Sequence, residues 1–146
     1  MIEWKHVRHF QRWEFDDPNY PESGNLIDPT LLFMLDKLRH ETDWPLVPHG
    51  AVGGCVDVDG SHGHAQHSYH LAINGAQACD FHFSTSEDPR KQYVQVARMG
   101  FSGIGVYYDW HWAGKLLQIG FHVDLRPMAQ AQRWKRVNGR YFYLLK

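Results

Sequence analysis

The chain has 146 residues, of which 43% are hydrophobic and 21% charged, and this composition is typical of one folded domain rather than of a disordered protein. Fifteen basic residues against sixteen acidic ones give a formal net charge of −1, so no positive field exists to attract nucleic acid or an anionic membrane. Two cysteines, Cys55 and Cys79, exclude a disulfide-rich scaffold but leave one disulfide open. We expect a single domain over residues 1–146 that is a monomer and binds neither nucleic acid nor membrane.

Two helices are predicted from their start signals. Asp28 and Pro29 provide a cap and a first-turn proline, and the helix predicted from Thr30 to Glu41 carries leucines at helical intervals, at positions 31, 32, 35 and 38. The pair at positions 88 and 89 repeats this start, and a glycine at position 100 provides a stop. The second helix is therefore predicted from Pro89 to Met99.

The remaining elements are predicted to be a long loop and several strands. Residues 45–74 are rich in Gly, His, Asp and Ser, which is typical of a loop. Strands are predicted over residues 77–83, 103–108 and 117–125, and Asn138-Gly139 predicts a hairpin between residues 133–137 and 140–145. This order of elements indicates an α+β domain with a small antiparallel sheet and flanking helices.

Three residues have the side chains of a catalytic zinc site. Two imidazoles and one carboxylate, from His70, Asp80 and His122, leave a fourth coordination position open for water. The chain has eleven histidines, so spacing alone does not select this set. In the alternative, Asp80 caps or pairs within a sheet, His70 lies in a solvated loop and His122 is a strand histidine whose hydrogen bonds are satisfied.

Other polar and aromatic residues are weighed in the same way. The histidines of the predicted loop are expected to be solvated rather than metal-binding: His62, His64 and His67. His82 follows Asp80 by two positions and would share its face in a strand, so it remains an alternative ligand or an acid/base. The segment from Trp110 to Trp112 is expected in a surface loop, where its aromatic rings contact a glycan or peptide or simply pack.

Several motifs occur in a fixed order along the chain. They are His9-Phe10 with Glu14-Phe15, Leu38-Arg39, Ser68-Tyr69-His70, Gly75-Ala76-Gln77-Ala78-Cys79-Asp80, Gly103-Ile104-Gly105-Val106-Tyr107, and His122-Val123-Asp124-Leu125-Arg126-Pro127, with aromatic residues at Trp134 and Tyr141. In this order they resemble the zinc D-alanyl-D-alanine metallopeptidase superfamily, which includes D-Ala-D-Ala carboxypeptidases, vancomycin-resistance dipeptidases, phage endolysins and the hedgehog fold. The resemblance covers most of the chain and is strongest to the phage and bacterial branch with a carboxypeptidase-like C-terminal domain.

The resemblance implies a hedgehog-like or D-Ala-D-Ala-peptidase-like fold and one zinc ion bound by His70, Asp80 and His122. It also places three residues where the substrate binds: Ser68, Tyr107 and Arg126. Asp124 shares a strand face with His122, so it is either the general base or a group that orients a histidine. In other branches the base lies three or two residues before the last histidine, where this chain has Ile119 and Gly120.

Two departures from the family pattern concern the ligands and the substrate. His70 and Asp80 are ten positions apart (80 − 70), about three more than usual, and an insertion at residues 72–74 can leave both ligands in place if its ends remain close. Relatives usually have Ser-Gly-x-Arg where this chain has the segment from Pro48 to Val52. Val52 cannot grip a carboxylate as an arginine does.

The resulting hypothesis is a zinc-dependent peptidase that cleaves an amide bond in bacterial peptidoglycan peptides, as an endopeptidase or a carboxypeptidase. The alternative is a non-catalytic virion or cell-wall-binding protein that keeps the fold, and a third possibility is a domain that zinc merely stabilises. The first residues lack the apolar stretch of a signal peptide. We therefore expect a protein that stays in the cytoplasm until release, or is carried by a virion, and acts at the cell wall.

Overall fold

The helices and strands lie within residues 2–145, which the computed structural model of the chain describes. Their bounds are α1 Pro29–Thr42, α2 Pro89–Ala97, β1 Leu46–Pro48, β2 Ala78–Phe83, β3 Gly103–Tyr107, β4 His111–Trp112, β5 Lys115–Leu116, β6 Gly120–Asp124, β7 Gln132–Val137 and β8 Arg140–Leu145. Neither α1 nor α2 has the length and apolarity to cross a bilayer.

Six of the strands form one sheet in the order β1-β2-β6-β3-β7-β8. Neighbouring strands are antiparallel except β3 and β7, which are parallel. The predicted α+β class is confirmed, whereas the sheet is larger than predicted and mixed rather than antiparallel. The parallel pair arises because the chain leaves β6 beside the start of β3 and crosses to the far side of β3, so that β7 runs in the same direction as β3.

The two faces of this sheet differ in polarity. Alternation along β2 puts Cys79, Phe81 and Phe83 in the hydrophobic core, together with the leucines of α1 and with Val96 of α2. Asp80 and His82 point to the opposite face because side chains alternate along a strand. This polar face carries every strand residue of the candidate site.

Local signals predicted the helices and the last hairpin well. Asp28 caps α1 by accepting a hydrogen bond from the backbone N–H of Leu31 (2.9 Å), and Asn138-Gly139 turns the hairpin with left-handed backbone angles. The strand predicted over residues 117–125 is shorter, and β1 lies inside the segment predicted as loop. The two cysteines are free thiols, with Sγ atoms 3.2 Å apart.

Candidate metal centre

Four residues lie side by side across the polar face of the sheet. Asp80 of β2 is opposite His122 of β6, which is opposite Gly105 of β3, which is opposite Trp134 of β7. A Cβ atom at Gly105 would collide with the Trp134 indole. The glycine therefore lets this ring lie over β3, where its centroid is 5.3 Å from that of His122.

His70 reaches this row from the long loop before β2. Its Nε2 atom lies 3.3 Å from Oδ1 of Asp80 and 3.2 Å from Nδ1 of His122. The residues that resemble an insertion, Ala72–Asn74, form one 3-10 turn at the surface, and Ile73 is 87% exposed. The extra length therefore bulges into solvent, and the longer connection still brings His70 to Asp80.

When His122 is neutral, the three atoms that meet here are all hydrogen-bond acceptors. Nδ1 of His70 lies 3.0 Å from the carbonyl oxygen of Cys55, which can only accept, so this nitrogen carries the proton. Nε2 of His122 donates in the same way to Oδ2 of Asp124 at 2.7 Å. His70 Nε2, His122 Nδ1 and Asp80 Oδ1 are thus left facing one another at 3.0–3.3 Å.

This triangle fits a metal ion. Ligand atoms bound to tetrahedral zinc at about 2.0–2.1 Å lie about 3.3 Å from one another, close to the separations in this site. Two imidazoles and a carboxylate are also a ligand set that zinc accepts in catalytic sites. Among residues 2–145, His70, Asp80 and His122 form one of two groups whose geometry could hold a metal ion.

The carboxylates of Asp80 and Asp124 favour a positive charge at the triangle. Burial disfavours a charged imidazole, but hydrogen bonds to Asp124 and Asp80 outweigh burial and raise the pKa of His122 to about 9. Burial opposes ionisation of Asp80, yet attraction to His70 and the hydrogen bond from His122 lower the pKa of Asp80. A proton on His122 and a metal ion would therefore compete for the same place.

Asp124 is fully engaged in holding His122. Oδ2 accepts from His122 and from Nη2 of Arg126, and Oδ1 accepts from the backbone N–H and Nε of Arg126. The carboxylate has no solvent exposure, and a Cβ atom at Gly103 would collide with it. Of the two roles considered for Asp124, this geometry favours orienting His122 over acting as a base.

The residues that the resemblance assigns to substrate binding line the same cavity as the triangle. This cavity of about 510 Å³ includes Ser68, Tyr107 and Arg126 in its walls. The Arg126 guanidinium also donates through Nη1 to Gln132 (3.1 Å), so all its nitrogens are committed to protein partners. Tyr107 accepts from the Trp134 indole N–H at 3.0 Å. Ser68, Tyr107 and Arg126 are therefore within reach of a molecule in the cavity. The Arg126 guanidinium, however, mainly holds the Asp124 carboxylate.

His82 lies beside this site but outside the triangle. Its Nδ1 atom is 2.8 Å from Nε2 of His49, and the two rings form a buried pair. Among the described residues, no grouping with metal-binding geometry includes His82. Its proximity to Asp80 in sequence therefore does not make it a ligand in this structure.

His64 is the residue that the sequence prediction missed. We expected it to be solvated, but its side chain is only 21% exposed and its Nδ1 atom lies 2.7 Å from Oδ2 of the buried Asp57. Its ring stacks on that of His70, with centroids 4.2 Å apart. Burial and repulsion from His70 outweigh the pairing with Asp57 and lower the pKa of His64. No sequence signal marks this residue, because its surroundings come from a loop without a regular pattern.

A second His–Asp group lies next to His64. Asp17, Asp57 and His62 also have metal-binding geometry, but their acceptor atoms already have donors. His62 lies 2.7 Å from Oδ1 of Asp17, the backbone N–H of Val58 donates to Oδ2, and Asp57 accepts from the backbone N–H of Gly60 and from His64. This closed network also makes His62 half-buried rather than solvated, while His67 is exposed as expected.

The β4–β5 hairpin forms a wall of the site. The Trp110 ring stacks on Tyr107 at 4.1 Å between centroids and covers Gly120, where a Cβ atom would collide with the indole. Trp112 stacks on His49 at 4.4 Å. The predicted surface loop is thus a short hairpin, in which both indoles pack against the site and His111 is exposed.

Comparison of this chain with models of protein families, with curated proteins and with solved structures gives no match.

Proposed function

We propose that this protein is a zinc-dependent peptidase that hydrolyses an amide bond in bacterial peptidoglycan peptides, with a fold of the hedgehog and D-Ala-D-Ala-peptidase type. The observation that carries the proposal is the convergence of His70 Nε2, Asp80 Oδ1 and His122 Nδ1 within 3.0–3.3 Å in the wall of an open cavity. The ordered motifs that resemble the zinc D-alanyl-D-alanine metallopeptidases supply the substrate class.

His70, Asp80 and His122 would hold the zinc ion. Zinc in such a site polarises the scissile carbonyl and makes water acidic enough to attack it at neutral pH. The ring nitrogens that face away from the zinc position are held by hydrogen bonds: His70 Nδ1 to the Cys55 carbonyl and His122 Nε2 to the Asp124 carboxylate. Such partners set the tautomer and the ring orientation of metal-binding histidines.

His64 supplies the proton transfer that Asp124 cannot. Asp57 holds the Nδ1 proton of His64, which leaves Nε2 as the basic atom of a ring that lines the cavity beside His70. In the proposed reaction, Nε2 takes a proton from the attacking water and returns it to the departing amine. Ile119 and Gly120, where relatives have a base, offer no proton acceptor.

The zinc dependence of hydrolysis tests this proposal. Purified protein incubated with peptidoglycan should release peptide fragments with new amino and carboxyl ends, which mass spectrometry detects. Chelation should abolish release, and one equivalent of zinc should restore it, because without the ion nothing activates the water or polarises the scissile carbonyl. Circular dichroism before and after chelation separates loss of metal from loss of fold. Zinc-loaded, folded protein that releases no fragments would contradict the proposal.

A non-catalytic cell-wall-binding protein is the second candidate. Two observations favour it: Val52 stands in place of the family's arginine, and Asp124 has no free oxygen to act as a base. Such a protein would bind one zinc ion and sediment with purified cell walls without cleaving them. Sedimentation and fragment release measured on the same sample distinguish the two candidates.

A further inference from the structure

The three candidate ligands line one cavity, and one of them, Asp80, also lines a second. The first cavity, of about 510 Å³, extends from the triangle toward Arg126, Trp134 and Tyr141. A second cavity, of about 390 Å³, extends the other way, toward Val52 and the β4–β5 hairpin. His64, Asp80 and Trp110 line both cavities, so the two cavities adjoin at the candidate site and form a candidate passage for a peptide.

A third cavity adjoins the second at the hairpin and would extend this candidate passage. It has a volume of about 620 Å³ and shares Trp112 and Ala113 with the second cavity. It follows β2, with His82 and Ser84 in its wall. Since side chains on one face of a strand repeat every two residues, Ser84 lies about 13 Å from Asp80. An extended peptide would place about four residues along that distance.

The second cavity offers few partners to a terminal carboxylate. Of its four histidines, His49, His62 and His64 are already paired with His82, Asp17 and Asp57, and His111 is exposed on β4. Among its described lining residues there is no lysine or arginine, and the acidic ones are Asp80 and Asp109. Asp109 is paired with Arg136 (3.0 Å), whose side chain lines the first cavity instead. Val52 occupies the position of the family's arginine and is 67% exposed. Lys115 lines only the third cavity, beyond Trp112.

We propose that this site is an endopeptidase site, in which the substrate chain passes the triangle and continues uncharged through the second cavity into the third. This inference rests on the proposed function and chooses between its two forms. A carboxypeptidase needs a cation about one residue beyond the scissile bond to bind the terminal carboxylate. Here Val52 stands where the resemblance expects that cation, and the third cavity adjoins the second beyond it.

Three peptides of one stem sequence test the inference on the zinc-loaded protein. The first ends in a free carboxylate one residue after the scissile bond, the second is its C-terminal amide, and the third continues for three uncharged residues. We expect kcat/KM to differ less than about threefold between acid and amide, and to rise about tenfold or more for the long peptide as further contacts form. A clear preference for the short acid would overturn the inference.

Val52→Arg sharpens the test by restoring the missing cation. The exposed position accommodates a longer side chain, and an arginine there should raise the acid-to-amide ratio of kcat/KM about tenfold, since bidentate binding of a carboxylate is strong and directional. Val52→Gln adds length without charge and should leave that ratio near one. A wild-type ratio that already favours the acid, and does not change in Val52→Arg, would show that another group binds the carboxylate.

Binding keeps the inference testable if hydrolysis fails. Should the protein cleave none of the three peptides, the proposed function fails, and their dissociation constants still report how the passage is used. The indole N–H signals of Trp110 and Trp112, followed by NMR during titration, should shift most with the long peptide, which should bind more tightly than the short acid. Tighter binding of the short acid would contradict an open passage.

Discussion

Two groups of histidine and aspartate lie close together in this protein and differ in one respect. In the group of His70, Asp80 and His122, three atoms face one another that are all acceptors when His122 is neutral. In the group of Asp17 and His62, every carboxylate oxygen already receives an N–H donor. Both groups are built from histidine and aspartate, and they differ in the direction of the ring nitrogens.

This difference follows from the partners behind each histidine. Cys55 and Asp124 bind the outer N–H groups of His70 and His122, which turns the lone pairs inward. For His62 the acceptor is Asp17 itself, so its donor is directed into the group. An open group of acceptors binds a cation, whereas a closed group stabilises a loop. The predictions below test this division, beginning with the largest expected effect.

Removal of one inward-facing lone pair should have the largest effect on zinc affinity. His122→Ala leaves two ligands and should weaken zinc binding by more than about 100-fold, beyond the loss usually caused by changing a group behind a ligand. His62→Gln should change zinc affinity by less than about threefold, because its ring is already paired with Asp17. Competition titration with a chromophoric chelator measures both. Loss of zinc from His62→Gln, with binding retained in His122→Ala, would reverse the assignment of the two groups.

His64 belongs to the closed network through Nδ1 and to the open site through its ring. His64→Gln should lower kcat by about 100- to 10,000-fold, the usual contribution of a general acid/base, while zinc content stays at one per chain. His40→Gln, on α1 and outside the cavities, controls for loss of an imidazole. Equal kcat in wild type and His64→Gln would show that another group moves the proton. Loss of zinc from His64→Gln would instead make it a ligand-supporting residue.

The helices could be predicted from sequence because their signals are local. Asp28 and Asp88 cap helices within three residues of themselves, so a short window contains the whole interaction. The parallel pairing of β3 with β7 could not be predicted, since it depends on where the chain returns after β6. β1 was missed because Leu46, Val47 and Pro48 are all apolar, so the sequence shows no alternation of polar and apolar residues there. The surrounding composition is that of a loop.

The candidate site was predicted in part for the same reason. The Gly-x-Gly motif could be recognised in the sequence, but the reason for its glycines follows only from strand register. The register places Asp124 over Gly103 and Trp134 over Gly105, where a Cβ atom would collide with either side chain. His64 was missed because its partner, Asp57, is buried by a loop fold that no periodicity records. Motifs thus predicted the three candidate ligands, whereas the groups proposed to orient them or to move protons became visible only in the fold.

The smallest predicted effect is on stability, in the closed group. His62→Gln removes the imidazole from the fully buried Asp17 and should lower the free energy of unfolding by about 1–3 kcal/mol, the cost of a lost hydrogen bond to a charged group. His67→Gln, at an exposed position in the same loop, should leave it unchanged within error. Urea unfolding of the three proteins measures these differences.

The pH dependence of this loss identifies its origin. The hydrogen bond to Asp17 raises the pKa of His62, so the contribution of His62 is complete below its unfolded value of about 6.5 and is lost as pH rises through the raised pKa. For Asp17, burial opposes ionisation, but hydrogen bonds from His62 and from backbone N–H groups lower the pKa. Its contribution is complete above about pH 4 and is lost as pH falls through the lowered pKa.

The stability difference between wild type and His62→Gln should therefore be largest between about pH 4 and 6.5. A difference that stays constant from pH 3 to 9 would mean that His62 acts as a neutral donor, and the contrast between the groups would then rest on hydrogen-bond direction alone.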